Sequence, residues 1–365
     1  MVWRMASVAG VLVSVILIAA GIRSDTPADG PVDPRVRFLC AGIASYRQYS
    51  GPLAVTLTVH NHSPGETTVW RYPERTELKD EERNVVVRWY RDHDNRAVIV
   101  TGTSPGAEEL VEERLAETAR ETRTLQKYLR HQGAEERVDW RGVILAPGAS
   151  HRDGLWVGHD WADPRLYAYY DKLKPLDQVL TQGPVVSVTE DRCNDSRCLR
   201  AQVGSGEKGY RTIYWLDRDH NLVIRRVAVY QRLGDRDVLT YEANVPALVG
   251  DKEAWFPAVF EARMYIRLLE EKVKNGLNRG QIPLSRILTA RTTRKDGIIT
   301  LPPVVARVTI SHVATGVPIP PELFAPEWPL GTLVGDTTRQ ETYRVTAVPV
   351  KTGTERQPNG GSNPR

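Results

Sequence analysis

Alternation of apolar and polar residues recurs along this chain and constrains its fold more than any other feature. In LAVTLTVH, from Leu53 to His60, every second residue is apolar and points to one face of a strand. The segment AWFPAVFEARMYIRLL alternates in the same way from Phe256 to Leu268, so period two outweighs a helical period of 3.6. Such strands pair into antiparallel sheets with one buried face.

Two runs of these segments lie on either side of a mixed region. TTVWR, NVVVRWYR and NRAVIVTG continue the first run, while GYRTIYWLDRDHNLVIRRVAVYQRL, DVLTYEANV and PPVVARVTISHV belong to the second. Between the runs, VVSVTEDRC and CLRAQV predict two strands, and WADPRLYAYYDKLKPLDQVL predicts one or two short helices. The fold class that this plan predicts is α+β and mainly β. It is a large curved antiparallel sheet, or unclosed β-barrel, with helices covering the concave side.

A longer helix is predicted over residues 105–132. Apolar and threonine residues recur there at spacings of four and three, with Glu and Arg at most other positions: Val111, Leu115, Thr118, Thr122, Leu125 and Leu129. We interpret this segment as a surface helix rather than a partner-binding coiled coil, because the stripe is short and interrupted. A shorter amphipathic helix is predicted from about residue 35 to Ser50.

The two ends of the chain predict export and a disordered tail. MVWRMA, SVAGVLVSVILIAAGI and RSDTPADGPVDP follow the three-part plan of a secretory signal peptide, with cleavage after Gly21. The apolar run is shorter than the roughly 20 residues of a membrane span. We therefore predict a cleaved signal over residues 1–21 and a periplasmic or cell-envelope location, with an uncleaved inner-membrane anchor as the alternative.

The remaining boundaries follow from composition. Residues 22–34 are polar and contain prolines, and we interpret them as a linker. Residues 35–345 are predicted to form one domain, with a polar insertion over 271–298. Residues 346–365 are predicted to be disordered. The net charge is +4, and 49 basic and 45 acidic residues are mixed along the chain, so no nucleic-acid partner is predicted.

The spacing of the cysteines and the predicted oxidising compartment indicate which of them form a disulfide. Cys193 and Cys198 flank the turn-forming residues of DRCNDSRC, which predicts a disulfide closing that turn. Metal binding is disfavoured because further ligands do not follow at metal spacing. The third cysteine, Cys40, lies among apolar residues at helical spacing and is interpreted as a buried thiol.

The sequence does not assemble an obvious catalytic or metal motif. His60 and His62 in HNH lack a third ligand at a suitable spacing, so we interpret them as solvated turn residues. HRDGLWVGHDW, with His151 and His159, is interpreted as a surface loop anchored by tryptophans, with the active loop of an exported hydrolase as the alternative. No catalytic residue, metal or cofactor is therefore predicted.

Aromatic residues are the candidate ligand contacts. The chain has nine Trp and fourteen Tyr but only four Phe, and Trp and Tyr favour half-buried positions at the mouths of pockets. The alternative role is structural, in which these side chains pack against cross-strand neighbours on the face of the sheet. The residues predicted to line a concave cavity are Trp89, Trp215, Trp255, Phe260 and Met264.

The order of the motifs resembles the outer-membrane lipoprotein-sorting (LolA-like) superfamily, particularly its divergent exported members. The matching pieces are a signal peptide, a helix running into ASYRQYSGPLAVTLTV, the hairpin YRTIYWLDRDHNLVIRR, the strand AWFPAVFEARMYI and the end VARVTISHVATGVPIPPELFAPEWPLGTLVGD. These cover roughly half of the chain. Residues 105–132 and 271–298 have no counterpart in the resemblance, and it does not transfer functional residues position by position.

The resemblance implies an unclosed barrel whose cavity shelters acyl chains of lipids or lipoproteins, without enzymatic chemistry. Envelope proteins are further partners under the alternative of a structural or interaction module of the cell envelope. The proline-rich segment from Pro321 to Asp336 is predicted to run extended along a sheet edge as the closing segment of the domain. Phe324 and Trp328 would pin it to the core, and Gly331 would allow a bend.

Overall fold

The structure is a computed structural model. It describes residues 33–47, 51–71, 77–102, 108–132, 135–147, 163–171, 174–182, 185–205, 209–250, 254–271 and 288–346. The predicted signal peptide, most of the linker and the predicted tail lie outside these residues, as does most of the predicted insertion. Among the helices of the described ranges, none is long and apolar enough to span a bilayer.

Within the described residues the helices are few and short. They are α1 (Pro34–Arg47), α2 (Gly65–Arg71), α3 (Leu166–Tyr169) and α4 (Leu176–Gln182), with a 3₁₀ turn over Pro321–Phe324. The first strands are β1 (Leu53–Ser63), β2 (Glu81–Asp92), β3 (Asn95–Gly102), β4 (Glu108–Glu117), β5 (Thr122–Gln132) and β6 (Glu135–Leu145). Two short strands, β7 (Tyr170–Asp171) and β8 (Lys174–Pro175), pair with each other.

Strands make up most of the described residues in the second half of the chain. It contains β9 (Val185–Cys193), β10 (Ser196–Ser205), β11 (Tyr210–Asp217), β12 (Ile224–Leu233), β13 (Arg236–Gly250) and β14 (Trp255–Met264). It continues with β15 (Arg267–Leu269), β16 (Thr293–Lys295), β17 (Ile298–Thr300), β18 (Val304–Thr315), β19 (Leu333–Asp336) and β20 (Glu341–Arg344).

Fifteen strands form one sheet in the order β20-β19-β6-β5-β4-β3-β2-β1-β18-β14-β13-β12-β11-β10-β9. All neighbours are antiparallel except β19 and β6, which are parallel. The early strand β1 and the late strand β18 pair at the centre, so the two halves of the chain join there. The predicted fold class is confirmed, since this is a large unclosed sheet, mainly antiparallel, with few helices.

The sheet has two different faces. We call the face that carries α1, α3 and α4 the inner face, and the other the outer face. Along β1, buried and half-buried positions alternate strictly, and Leu53, Val55, Leu57 and Val59 enter the main apolar core on the inner face. The helices contribute Leu39, Ile43, Leu176 and Leu180 to the same core. The period-two interpretation of β1 and of AWFPAVFEARM is thus confirmed.

The helix predicted over residues 105–132 is wrong. Residues 108–117 and 122–132 are the antiparallel strands β4 and β5, joined by a turn in which the Thr118 amide donates to Glu121 O at 3.0 Å. The charges that suggested helical pairing find partners in the sheet instead. Arg96 on β3 bonds Glu117 at 2.8 Å, and Gln126 bonds Glu113 across the β4–β5 hairpin at 2.9 Å. Long-range pairing thus overrode a locally plausible helical pattern.

The strand predicted for TTVWR is also wrong, because these residues form α2. The Thr68 amide donates to Pro64 O at 2.9 Å, and the Gly65 amide donates to Asp80 Oδ1 at 2.9 Å. Pro64 and Gly65 therefore start a helical turn directly after β1. An acidic residue, Glu66, lies in the first turn, where its negative charge interacts favourably with the helix dipole.

The C-terminal segment crosses the outer face and completes the sheet. Phe324 packs with Ala97 of β3, and the Trp328 ring lies against Gly142 of β6. At Gly331, φ is +84°, and β19 then pairs in parallel with β6. The predicted aromatic anchors and the bend at Gly331 are therefore confirmed, whereas the predicted extended course is wrong at Pro321–Phe324, which form a 3₁₀ turn. Because β19 is the edge partner of β6, the segment extends the sheet as well as covering it.

Candidate functional site

The inner face forms one continuous apolar surface across the centre of the sheet. Its middle is Trp89 on β2, which is 0% exposed. Neighbouring strands in register place Val55 on one side of it and Val98 on the other. The same core extends to Leu115 on β4 and to Leu216 on β11, so it spans many strands. A surface of this kind favours an apolar ligand or an apolar covering segment.

A row of small side chains crosses this face. Ala306, Ala262 and Ala243 stand directly opposite one another on β18, β14 and β13. Each is buried and belongs to the main core. Short side chains at these positions allow another element to approach the sheet closely.

The segment after residue 162 lies over the inner face next to this row. Asp163 accepts hydrogen bonds from the backbone and side chain of Arg165, and the four residues of α3 that follow are all buried. The ring of Tyr167 lies 5.1 Å from that of Phe260 on β14, and the guanidinium of Arg165 lies 5.7 Å from the centre of the Trp89 ring. The central part of the inner face is therefore covered by a segment of the chain itself.

Buried tyrosines surround this segment. Burial raises the pKa of Tyr167, and burial followed by the charge of Asp171 raises that of Tyr241. The hydroxyl of Tyr214 bonds Asp171, and burial and this carboxylate hold its pKa well above 10. These hydroxyls stay protonated over the physiological range, so they act as neutral hydrogen-bonding groups.

Helices α1 and α4 lie together over the other half of the inner face. Arg47 donates to both carboxylate oxygens of Asp177, at 3.2 and 3.3 Å. Cys40 is half-buried between the helices, where its thiol donates to Asp177 O at 3.4 Å. Burial raises the pKa of Cys40, and the hydroxyl of Thr181 acts in the opposite direction. The thiol is thus a packing group with a weak hydrogen bond, rather than an activated nucleophile.

At one end of β1 and β2 the inner face becomes polar. Asn61 and Arg83 stand directly opposite each other, one row beyond Val59 and Val85. Burial lowers the pKa of Arg83 to about 10. Sequence reasoning missed this pair. The sequence did contain a signal for this pair. In the alternation of each strand, Asn61 and Arg83 fall on the same side as the apolar residues that face the core.

The structure brings together only some of the predicted cavity residues. Trp89, Trp255 and Phe260 contact the main core on the inner face. Trp215 belongs to a separate cluster with Ile213 on the other face of β11, and its Nε1 donates to Asp191 at 3.0 Å. Met264 packs with Val304 in a third, small cluster. A role of these five residues in ligand binding stays a prediction.

The predicted disulfide is absent, and Cys193 and Cys198 are free thiols. The turn between them, Asn194 and Asp195, has φ of 50° and 64° and places Cys193 opposite Ser196, while Cys198 faces Asp191. The cysteines are diagonal neighbours on one face, and such pairs lie further apart than the Cβ separation of about 4 Å that a disulfide needs. Both are buried instead in a cluster with Ile213 and Trp215.

The histidine motifs divide between described and undescribed residues. His60 Nδ1 lies 2.7 Å from Asn84 Oδ1, and His62 lies 3.7 Å from Asp80 and 3.5 Å from Glu82. Within the described residues, no group of three or more His, Cys, Asp and Glu side chains could hold a metal ion. The segment HRDGLWVGHDW lies outside the described residues, so the hydrolase alternative stays a prediction.

A charged network lies at the end of the sheet where α2 begins. Glu66, whose side chain is 2% exposed, accepts hydrogen bonds from Thr289 and from Arg291. Arg291 also bonds Asp80, and this contact is the main reason that the pKa of Asp80 falls to about 2. The network ties residues 288–292 to α2 and β2. Its charges are paired with one another, which favours a structural role.

Comparison with known proteins finds similarity only at the level of structure. No protein-family model matches this chain, and no curated protein matches it. A DUF1329 family protein from Desulfovibrio piger is similar at 12% identity and a TM-score of 0.36, over 80% of this chain and 98% of its own. A LolA superfamily protein from Nitrosomonas europaea is similar at 9% identity and a TM-score of 0.32, over 79% of this chain and 96% of its own.

Proposed function

We propose that this protein is an exported, non-enzymatic carrier or binding protein that shelters an acyl chain of a lipid or lipoprotein against the inner face of its sheet. The observation that carries the proposal is the continuous apolar inner face centred on Trp89. Each methylene group removed from water contributes about 0.8 kcal/mol, so an apolar face of this extent suffices without a nucleophile or a metal.

The dimensions of the face support an extended chain along β1 and β2. From Trp89 to Arg83 the inner side of β2 is a column of strand residues, which at 3.4 Å per residue is roughly 20 Å long. One acyl chain fills half of a bilayer hydrocarbon core, or about 15 Å. The column therefore matches the length of a single chain.

Entry requires a covering segment to move, because the residues of this face are buried. Residues 163–169, which we call the α3 segment, are the candidate lid. Within this segment Tyr167 packs against Phe260, and Arg165 lies over Trp89. Lids of this kind open when a ligand binds one arrangement of the segment better than the other.

Solvent extraction and a fluorescent lipid probe test the proposal. The protein purified without its signal should yield lipid to organic solvent, detected by mass spectrometry, and should enhance the fluorescence of the uncharged probe N-phenyl-1-naphthylamine. Val100→Phe fills the inner face of β3 and should weaken binding. Ile99→Phe, one position earlier on the opposite face, is the matched control. An empty extract together with no fluorescence gain would contradict the proposal.

A structural or interaction module of the cell envelope is the second candidate, favoured by the covered inner face and by the sheet edge. All four residues of the edge strand β20 are exposed, and the large apolar residues Tyr343 on β20 and Leu333 on the adjacent β19 are exposed as well. An exposed edge strand can pair with another chain. Thr342→Pro should abolish co-purification of an envelope partner if this candidate is right, and should leave it unchanged if the edge is not used.

A further inference from the structure

The inner face has a direction along β1 and β2. On β1 it is apolar up to Val59 and then presents Asn61. On β2 it is apolar from Trp89 to Val85 and then presents Arg83. An apolar column that ends in hydrogen-bonding groups matches an amphiphile, whose chain and headgroup differ in the same way.

Asn61 and Arg83 form one row at this end. They are direct cross-strand partners, which places their Cα atoms about 5 Å apart with both side chains on the inner face. Asn61 is 9% exposed, and its Oδ1 is buried and has no hydrogen-bond partner among the described residues. A buried amide oxygen in this condition needs a hydrogen-bond donor beside it, such as a hydroxyl of a ligand, while the amide N–H groups can donate to an anion.

Arg83 adds a positive charge to the row. Burial lowers its pKa to about 10, so the group still carries its charge at neutral pH. At the opposite end of β2, Arg91 is also partly buried. Burial and Arg165 lower the pKa of Arg91, while the carboxylates of Asp163 and Asp94 act in the other direction. At the Arg91 end, carboxylates of the protein thus act on the cation.

We infer that the row formed by Asn61 and Arg83 binds the anionic headgroup of a single-chain amphiphile, a carboxylate or a phosphate, whose chain runs along β1 and β2 toward Trp89. The inference rests on the proposed function and adds to it the orientation and the charge class of the ligand.

The chemistry of the row fits such a headgroup. A guanidinium carries five N–H donors in a planar fork, so it can bind two ligand oxygens and still keep contacts within the protein. The Asn61 amide adds a donor and an acceptor for a neighbouring ligand atom. Glu81 and Ser63 form the next row outward. The carboxylate of Glu81 repels an anion placed further out, which fixes the headgroup at the Asn61–Arg83 row.

Binding of cis-parinaric acid and of its uncharged methyl ester tests the inference on the whole chain without its signal. Direct fluorescence titration should show roughly tenfold or tighter binding of the acid, because hydrogen bonds to a charged group are stronger than neutral ones. Arg83→Gln should remove this preference by weakening binding of the acid much more than binding of the ester. Arg88→Gln, on the outer face of the same strand, should keep the preference. Arg83→Lys should restore part of it.

Competition separates the two headgroup sources. Lysophosphatidic acid and palmitate are each titrated against bound parinaric acid, with monoacylglycerol as the uncharged reference. Displacement by either anion at a lower concentration than monoacylglycerol supports the inference, and the stronger of the two identifies the headgroup. Equal displacement by all three overturns it.

Two results separate this inference from the proposed function. If neither parinaric acid nor its ester binds, the proposed function itself is wrong. If both bind equally well, or if Arg83→Gln behaves like Arg88→Gln, the chain binds but the headgroup row is wrong. Circular dichroism checks the folding of each variant. Where Arg83→Gln does not fold, the acid-to-ester ratio of Arg83→Lys and of Asn61→Leu decides.

Discussion

Arg291 holds the buried carboxylate of Glu66, 225 residues earlier in the chain, through hydrogen bonds from Nε at 3.0 Å and from Nη2 at 2.5 Å. The same guanidinium bonds both carboxylate oxygens of Asp80 at 2.8 and 2.9 Å. One cation thus joins α2, the start of β2 and the segment before β16. These parts are far apart in sequence, so the network closes one end of the domain.

The network predicts an acid-sensitive contribution to stability. The hydrogen bonds from Arg291 lower the pKa of Asp80 to about 2. Burial of Glu66 acts to raise its pKa, but the bonds from Thr289 and Arg291 outweigh burial and lower it. Both folded-state values lie below the unfolded ones. The contribution is therefore fully present above pH of about 5 and is lost as pH falls toward about 2.

Arg291→Gln should thus destabilise the protein by about 2 kcal/mol at pH 7, because a buried carboxylate loses its charged donor. The difference from the parent should shrink between pH 5 and pH 2, measured by urea unfolding across that range. Arg236→Gln is the control, since Arg236 and Asp296 form a well-exposed pair. If the difference in unfolding free energy between Arg291→Gln and the parent stayed constant with pH, this account would be contradicted.

In the structure all three cysteines are free thiols, and this can be tested chemically. Alkylation of the unfolded protein without reductant should label all three cysteines, counted by mass spectrometry. In the native protein Cys198 should react slowly with a thiol reagent at pH 8, because burial raises its pKa to about 12 and leaves little thiolate. Labelling of Cys40 alone in the unfolded protein would instead establish a disulfide between Cys193 and Cys198.

The contact between Gly142 and Trp328 predicts a strong effect of one added methyl group. A Cβ at Gly142 would lie 2.6 Å from Trp328 Cζ3, so Gly142→Ala should cost about 1–3 kcal/mol in urea unfolding. Gly335→Ala is the control, since a Cβ there meets nothing within 4 Å. In the background of Trp328→Ala, the cost of Gly142→Ala should fall. Equal costs in both backgrounds would place the clash elsewhere.

The lid role of the α3 segment predicts opposite effects on stability and binding. Tyr167→Ala removes the ring that packs 5.1 Å from Phe260, so stability should fall by about 3 kcal/mol. Uptake of N-phenyl-1-naphthylamine should rise, because the variant uncovers the inner face. Tyr343→Ala, at an exposed position, should change neither quantity. If Tyr167→Ala loses stability and also loses binding, the segment forms part of the site rather than its cover.

The alternation in the sequence sufficed to predict the long strands. β1 and β14 follow the period-two pattern because one face of each must be buried, and a pleated strand exposes every second residue to that face. Apolar residues at helical spacing predicted α1, and α4 lies within the segment that was predicted to form one or two short helices. The closing segment was also predictable, because its prolines, aromatic residues and Gly331 each restrict the backbone or pack in a specific way.

Only the tertiary structure decided what the mixed segments become and where the site lies. Residues 108–132 have a helical charge pattern, but neighbouring strands supply the partners for Glu113 and Glu117, and these long-range pairs favour the sheet. The turn at Asn194 and Asp195 sets a strand register that keeps Cys193 and Cys198 apart. Asn61 and Arg83 become neighbours because the register of β1 against β2 places them opposite each other. Sequence determines which residues share the face of one strand, whereas the pairing of strands determines which residues meet across the sheet.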